Sequence, residues 1–180
     1  YQYHQSYGLQ VIRTRAFNHT GPRQSDAFVI SNFARQIVEI ETGQKEPVMD
    51  VGNLSAQRDF TDIRDIVKAY SLAVRFCDSG CVYNIGSGIG RRIKEVLDTL
   101  LGMAKIIIQV KEDPARMRPS DVPAMICDNS HFREKTGWQP EIPFETTLRD
   151  LLEYWRERLA PRKIKRRLYE NISEAMCRPK

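Results

Sequence analysis

No stretch of the 180 residues approaches the roughly 18 consecutive apolar residues that a bilayer-spanning helix requires, so no membrane partner is expected. Cysteine is sparse and unpatterned: Cys77 and Cys81 are spaced C-x3-C, wider than a CxxC redox pair, and Cys127 and Cys177 supply no matching second pair. The three histidines are scattered. These absences leave no metal-ligand pattern and point to reduced thiols in a cytoplasmic protein. The opening YQYHQSYG is polar and aromatic and does not read as a secretory signal. An initiator methionine is missing too, and residues 1–8 read as the tail of a helix, so the chain is expected to be a piece of a longer protein. No internal repeat or low-complexity tract appears.

What is present is globular. Hydrophobic residues make up 41% and charged residues 28%, a composition able to bury a core. The length suits one ordinary domain. The net charge of +5 is unevenly placed, because PRKIKRRL carries five cations between Arg162 and Arg167 and the rest of the chain is near neutral. Nucleic-acid binding would need a basic face interleaved with aromatics, and only Tyr169 lies near; no nucleic-acid partner is expected. The segment reads as a solvated helix end or a tail.

Strand and helix patterns alternate, which predicts an α/β fold. LQVIRTRAF, residues 9–17, reads as a buried strand and NHTGPRQSD as the irregular loop after it. Apolar residues at 29, 30, 33, 37 and 40 predict a helix closed by Gly43. Residues 47–51 read as a strand, and Phe60 as strand or bridge. Asp62 is placed to open a helix over 63–76, with Ile63, Ile66, Val67, Tyr70 and Val74 on one side. Residues 82–85 and 106–110 read as strands, 93–101 as an amphipathic helix, and 124–127 as a short apolar run. Asn129 with Ser130 can cap the helix HFREKTG, and a last helix starts at Thr146 or Thr147.

Four stretches carry chemistry. VYNIGSGIGRR places glycines at 86, 88 and 90 between a strand and a helix. A dinucleotide fingerprint needs G-x-G-x-x-G, so the third glycine comes one residue early, and a plain strand-to-helix turn fits better. Arg91 and Arg92 then read as the helix's first turn, where cations oppose the dipole. QRDFTDIRD sets five charges on a strand-to-helix junction. Arg58 there either grips phosphate through its planar fork or plays a paired structural part, and Asp59 and Arg64 are candidates to pair. DPARMRPSDVP holds Arg116, Arg118 and Asp121 in a proline-stiffened loop, suited to a diphosphate and a sugar hydroxyl or simply to an exposed surface. FNHTGPRQ puts Asn18 and His19 at the C-terminal end of a strand, where ligands sit in α/β sheets.

Taken in order, TRAFNHTGPRQ, GNLSAQRDFTDIRDIVKAY, VYNIGSG, DPARMRPSDVP and TGWQPEIPFETTLRDLLEYW resemble the C-terminal half of an extended short-chain dehydrogenase/reductase of the NAD-dependent epimerase/dehydratase family. The resemblance covers roughly residues 1–158 and is nearest to the GDP-mannose branch. NHTGPRQ is more similar to its reductases than to its dehydratases, in which Glu-Ser-Pro-Arg would follow Asn-His. The implied fold is the C-terminal part of a Rossmann-like enzyme without its N-terminal half. Residues 1–24 would close the Rossmann side, 25–158 would bind substrate, and 159–180 would be a basic tail.

The resemblance implies a GDP-6-deoxy-4-keto-mannose reductase or a GDP-mannose 4,6-dehydratase, acting on a GDP-sugar with NADP or NAD, from a homo-oligomeric parent. Asn18 would bond the sugar diphosphate and Asn32 would help bind substrate. Val51 and Asn53 would flank the guanine or its ribose. Arg58 and Arg118 would bind diphosphate and ribose, and Asp121 the ribose hydroxyls. His19 would lie against the nicotinamide ribose, with Arg23 near the cofactor. No catalytic residue is expected here, since none of the seven tyrosines has a lysine four positions on and the family's Tyr-x-x-x-Lys pair is therefore missing. The chain is expected to be inactive alone, and a non-catalytic remnant that binds nucleotide sugar or a partner is the competing expectation.

Overall fold

A computed structural model describes residues 1–117 and 122–160. In chain order it runs α1 (Gln2–Tyr7), β1 (Arg13–Ala16), β2 (Asn18–Thr20), α2 (Val29–Glu41), β3 (Val48–Val51), β4 (Gln57–Asp62) and α3 (Ile63–Phe76). It continues with β5 (Val82–Ile85), β6 (Gly90–Arg92), α4 (Ile93–Gly102), β7 (Gln109–Glu112), a 3-10 turn (Pro114–Arg116), β8 (Ala124–Met125), α5 (Ser130–Thr136) and α6 (Phe144–Leu159). The alternation is the expected α/β one.

Among the described residues the strands form three small sheets. β1 pairs in parallel with β5, and β3 in parallel with β7. The third sheet is built around β4. Its C-terminal end pairs in parallel with β2, and its N-terminal end lies between antiparallel β6 and parallel β8. β4 therefore joins three strands from distant parts of the sequence and is the element that assembles the cleft.

Two apolar cores hold the sheets in place. The larger packs Ile30, Phe33, Ile37 and Val38 of α2 against Leu97 and Leu100 of α4 and Leu148, Leu151 and Leu152 of α6. Each such fully buried side chain contributes about 1.5–3 kcal/mol relative to exposure. Trp155 of α6 is buried here and donates its indole N–H to Ser31 at 3.0 Å, which satisfies its one polar atom. The smaller core joins Ile66, Ala69 and Ala73 of α3 to Tyr83, Ile85, Phe132 and Trp138.

Several sequence expectations shift. α3 does not bury Val67, Tyr70 and Val74, which are 60%, 41% and 79% exposed. Ile66 with the small Ala69 and Ala73 forms the buried face, because methyl-sized side chains let the helix lie close against its neighbours. Arg91 and Arg92 are not in a helix's first turn: they end strand β6, and the Arg92 N–H is taken by the Glu95 carboxylate at 3.1 Å. Arg91 lies over the Phe144 ring, 4.5 Å from its centroid, where the ring face attracts the cation. The loop expected after Phe17 begins instead with β2, whose bonds come from β4, a partner distant in sequence. The strand expected at 106–110 falls at Gln109–Glu112, set by register with β3. α6 starts at Phe144, two residues before Thr146.

Asp62 caps α3 as expected, accepting the Arg64 N–H at 2.8 Å. Asn129 occupies the N-cap of α5 but makes no cap bond; it reaches the Gly86 carbonyl at 2.7 Å instead, and Asp128 accepts the Ser130 N–H. Among the described helices none is long and apolar enough to cross a membrane.

Candidate functional site

A cleft of about 990 Å³ opens where the C-terminal ends of β2 and β3 meet the start of α2 and the middle of β4. Asn18, His19, Asn32, Val51, Asn53 and Arg58 all line it, although they come from four separate segments of sequence. Its volume matches that of a site for a large small-molecule ligand.

Each of these side chains is placed by local bonding. β2 pairs with β4 in the register Asn18 to Phe60, which fixes the direction of Asn18 and His19. His19 Nδ1 lies 3.0 Å from the Phe17 carbonyl. That oxygen only accepts, so Nδ1 carries the proton and the ring is pinned. The following turn is closed by Gln24, which accepts from the Thr20 hydroxyl at 2.6 Å and donates to the His19 carbonyl at 2.9 Å. Arg23, in that turn, has φ 75° and is exposed, and it does not line the cleft.

Val51 ends β3 and is buried, so it offers an apolar wall. Asn53 is exposed and holds its own loop, with its side-chain oxygen accepting the Ser55 N–H at 2.9 Å and hydroxyl at 2.7 Å. Arg58 on β4 donates to the Gln57 carbonyl at 2.7 Å and the Pro123 carbonyl at 3.4 Å. It is thereby held between β4 and the segment leading into β8. Arg118 and Asp121 lie outside the described residues.

Arg116 lines the same cleft; the sequence offered it with Arg118 and Asp121 as part of a diphosphate-binding or simply exposed loop, and the family resemblance gave it no role of its own. Its Nε lies 3.3 Å from Asp113 and its Nη1 reaches Asn32 at 3.5 Å. The segment that carries it rests directly on Gly52, where a Cβ would overlap the Arg116 carbonyl. Gly52 is thus needed for close approach rather than for a positive φ. Two guanidiniums, Arg58 and Arg116, therefore face one cleft. Asp26 at its rim is paired with Arg35, whose hydrogen bond holds the Asp26 carboxyl below its ordinary range. The lining thus carries two guanidiniums, Arg58 and Arg116, and two carboxylates, Asp26 and Asp50, so what it offers an anion is the planar donor fork of each arginine rather than a net positive charge.

The glycine turn after β5 has a different occupant. The Asp59 carboxylate accepts the Ser87 N–H at 3.0 Å, the Ser87 hydroxyl at 2.6 Å, the Gly88 N–H at 2.8 Å and the Cys127 N–H at 3.2 Å. Successive backbone N–H groups make an anion-binding concavity, and here the chain's own carboxylate fills it. Asp59 does not pair with Arg64, as the sequence had allowed. Arg64 bonds Asp62 and Asp150, each at 2.8 Å. Burial alone would push the Asp62 carboxyl up, but the bonds from Arg64 and Thr147 outweigh it and hold it low. Burial with the nearby Asp59 and Asp128 charges pushes the Cys127 thiol up to about 12, so it is not a nucleophile. No cluster of three or more metal-ligating side chains exists among the described residues.

Known proteins share this fold. The family model described as GDP-mannose 4,6 dehydratase matches residues 1–151. The GDP-6-deoxy-D-mannose reductase of Pseudomonas aeruginosa is 36% identical over 152 residues, covering 84% of this chain and 50% of the relative. GDP-mannose 4,6 dehydratase 2 of Arabidopsis thaliana is 28% identical over 153 residues, covering 84% and 40%. Among solved structures, RMD from Pseudomonas aeruginosa complexed with NADPH superposes with a TM-score of 0.83 at 33% identity, over 88% of this chain and 52% of that one. The UDP-glucose 4-epimerase of Thermus thermophilus, complexed with NAD, gives 0.72 at 26% identity, over 88% and 50%. The chain spans about half the length of the relatives it matches.

Proposed function

The chain belongs to the GDP-mannose 4,6-dehydratase family, and on that premise we propose that it is the substrate-binding portion of a nucleotide-sugar reductase. Joined to a nucleotide-binding half, it reduces the 4-keto group of GDP-6-deoxy-4-keto-mannose. The observation that carries this reading is the convergence of Asn18, Asn32, Val51, Asn53 and Arg58 on one cleft, with Arg116 as a second cation. Arg58 and Arg116 take the diphosphate through charge-assisted hydrogen bonds. Val51 and Asn53 flank the guanine or its ribose, and Asn18 holds the phosphate nearest the sugar. Arg118 binds the diphosphate and ribose with Arg58, and Asp121 takes the ribose hydroxyls.

The cofactor is NADP or NAD, which supplies hydride to the keto carbon when bound. His19 fits its ribose edge, since its ring is pinned and lines the cleft. Arg23 is exposed and away from the cleft lining, so it fits only an outlying phosphate of the cofactor. The chain holds no Tyr-x-x-x-Lys pair, so it binds and orients substrate but does not itself protonate the alkoxide. We assign the parent enzyme to the cytoplasm and to a homo-oligomeric state. The free thiols of Cys77, Cys81 and Cys127 support the first, and the exposed apolar stripe on α3, which needs a covering surface, supports the second.

Calorimetric titration with GDP, UDP and dTDP tests the reading: GDP binds most tightly if the cleft is built for a guanine nucleotide sugar, and equal affinities reject that assignment. A second reading is a non-catalytic nucleotide-sugar-binding remnant. Sequencing the DNA upstream of Tyr1 separates the two. An in-frame glycine-rich loop and Tyr-x-x-x-Lys support the enzyme, and a start codon near Tyr1 without them supports the remnant. A GDP-mannose 4,6-dehydratase portion is the remaining alternative, distinguished by the reaction that the joined enzyme carries out.

A further inference from the structure

One turn after Asn32 on α2 lies Gln36, only 3% exposed and not itself part of the cleft lining. Its amide nitrogen donates to the Asn32 side-chain oxygen at 2.7 Å and to the Asp50 backbone carbonyl at 3.2 Å. The Asn32 amide nitrogen donates in turn to the Asp26 backbone carbonyl at 3.1 Å. Asp50 and Asp26 thus end a chain of two side-chain amides with two oxygens that can only accept. Turning either amide over would set oxygen against oxygen. Arg116 adds a third constraint, since its Nη1 approaches the Asn32 oxygen at 3.5 Å and a guanidinium only donates.

The remaining capacity of Asn32 follows by counting. Its oxygen has two lone pairs, and Gln36 and Arg116 face both. Its nitrogen has two hydrogens, of which one goes to Asp26. The second has no acceptor among the described residues, and Asn32 lines the cleft. We infer that Gln36 is a positioning residue that fixes the Asn32 amide as a hydrogen-bond donor, so that Asn32 offers its remaining N–H to an acceptor oxygen of the bound nucleotide sugar and cannot take a group that only donates. This rests on the proposal that the cleft binds a nucleotide sugar. It deepens that proposal, because one otherwise ambiguous amide acquires a single polarity from a residue that never touches the ligand. Gln36 also ties α2 to β3 through the Asp50 carbonyl. Through Asn32 it also bears on Arg116, whose Nη1 lies 3.5 Å from the Asn32 oxygen.

The test uses the full chain labelled with 15N. In the wild-type protein without ligand, the Gln36 side-chain amide protons are expected to exchange with solvent at least about tenfold more slowly than those of exposed Gln2. Equal exchange rates would overturn the assignment. Q36E keeps the shape but removes the donor. The Asn32 side-chain amide resonances should then move in the free protein, because Asn32 must turn its nitrogen toward the new carboxylate, and GDP affinity should fall about tenfold. Unmoved Asn32 resonances in folded Q36E would also overturn it. If Q36E does not fold, the wild-type exchange rates still decide. A wild-type chain that shows slow Gln36 exchange but no response of Asn32 to GDP would reject the nucleotide-sugar reading while leaving the positioning role intact.

Discussion

Asp59 and Ser87 are joined twice, with the carboxylate accepting both the backbone N–H at 3.0 Å and the hydroxyl at 2.6 Å. The bond spans 28 positions of sequence and clamps the turn after β5 onto β4. A Cβ at Gly86 would lie 2.6 Å from Cys127 Cβ and 3.0 Å from the Asp59 carboxylate, so the turn can close only on glycine. D59A strands three backbone N–H groups and should lower the free energy of unfolding by about 3 kcal/mol. S87A removes one hydroxyl and should lower it by about 1 kcal/mol. Urea denaturation followed by tryptophan fluorescence checks both; an S87A loss as large as that of D59A would show that the hydroxyl, not the carboxylate, organises the turn.

Gly52 and Arg116 set the height of the cleft wall. G52A introduces a Cβ into the Arg116 carbonyl, and the overlap should cost about 1–3 kcal/mol, taken up by displacing the Pro114–Arg116 turn. GDP binding should weaken in G52A and in R116A alike. Calorimetry showing tight GDP binding in G52A would mean that this turn does not border the ligand.

A second anchor lies far from the cleft. Glu41 is 5% exposed at its side chain and receives Arg156 through two bonds, at 2.8 Å and 2.6 Å. R156A leaves a buried carboxylate with the Lys105 N–H but no cation and should destabilise the chain by about 3 kcal/mol. The double variant E41L/R156M removes both charges and should recover most of that loss in thermal unfolding.

Acid should unfold the protein progressively. Burial pushes the Asp62 and Glu41 carboxyls up, but the hydrogen bonds from Arg64 and Thr147 to Asp62, and from Arg156 and the Lys105 N–H to Glu41, outweigh it. Both are held below their ordinary values of 3.8 and 4.5. A group lowered in the folded state binds fewer protons there than in the unfolded chain. Its contribution is therefore complete above the ordinary value and is lost as pH falls through the folded one. Urea midpoints should fall steadily below about pH 4.5. D62N cannot titrate, so it should be less stable at neutral pH and show a shallower decline into acid.

The alternation of elements and most helix limits were legible because each is a local pattern. α3 is bounded by Asp62 and begins at Ile63 as its capping residue dictates. Its buried face was not legible. Val67, Tyr70 and Val74 have the periodicity of a core stripe, but the contact is made by Ala69 and Ala73, and only the packing partner decides between them. β2 was missed for a related reason, since its hydrogen bonds come from β4, about 40 residues away in the register Asn18 to Phe60. In the cleft, motif order located Asn18, His19, Asn32, Val51, Asn53 and Arg58. Arg116 was legible only as part of a charged loop that suited either a diphosphate or an exposed surface, and its place in the cleft follows from the close approach of that loop to Gly52. Gln36 carried no signal beyond its i+4 spacing from Asn32, because its part depends on two carbonyls that the sequence does not bring together.

Calorimetric titration of GDP into the wild-type chain and into R58A is the most direct measurement of the proposed diphosphate site. Arg58 lines the cleft and is held there by the Gln57 and Pro123 carbonyls. Binding to the wild type with a loss of about tenfold or more in R58A is the expected result, the size of one charge-assisted hydrogen bond. Equal dissociation constants for the wild type and a folded R58A would contradict it.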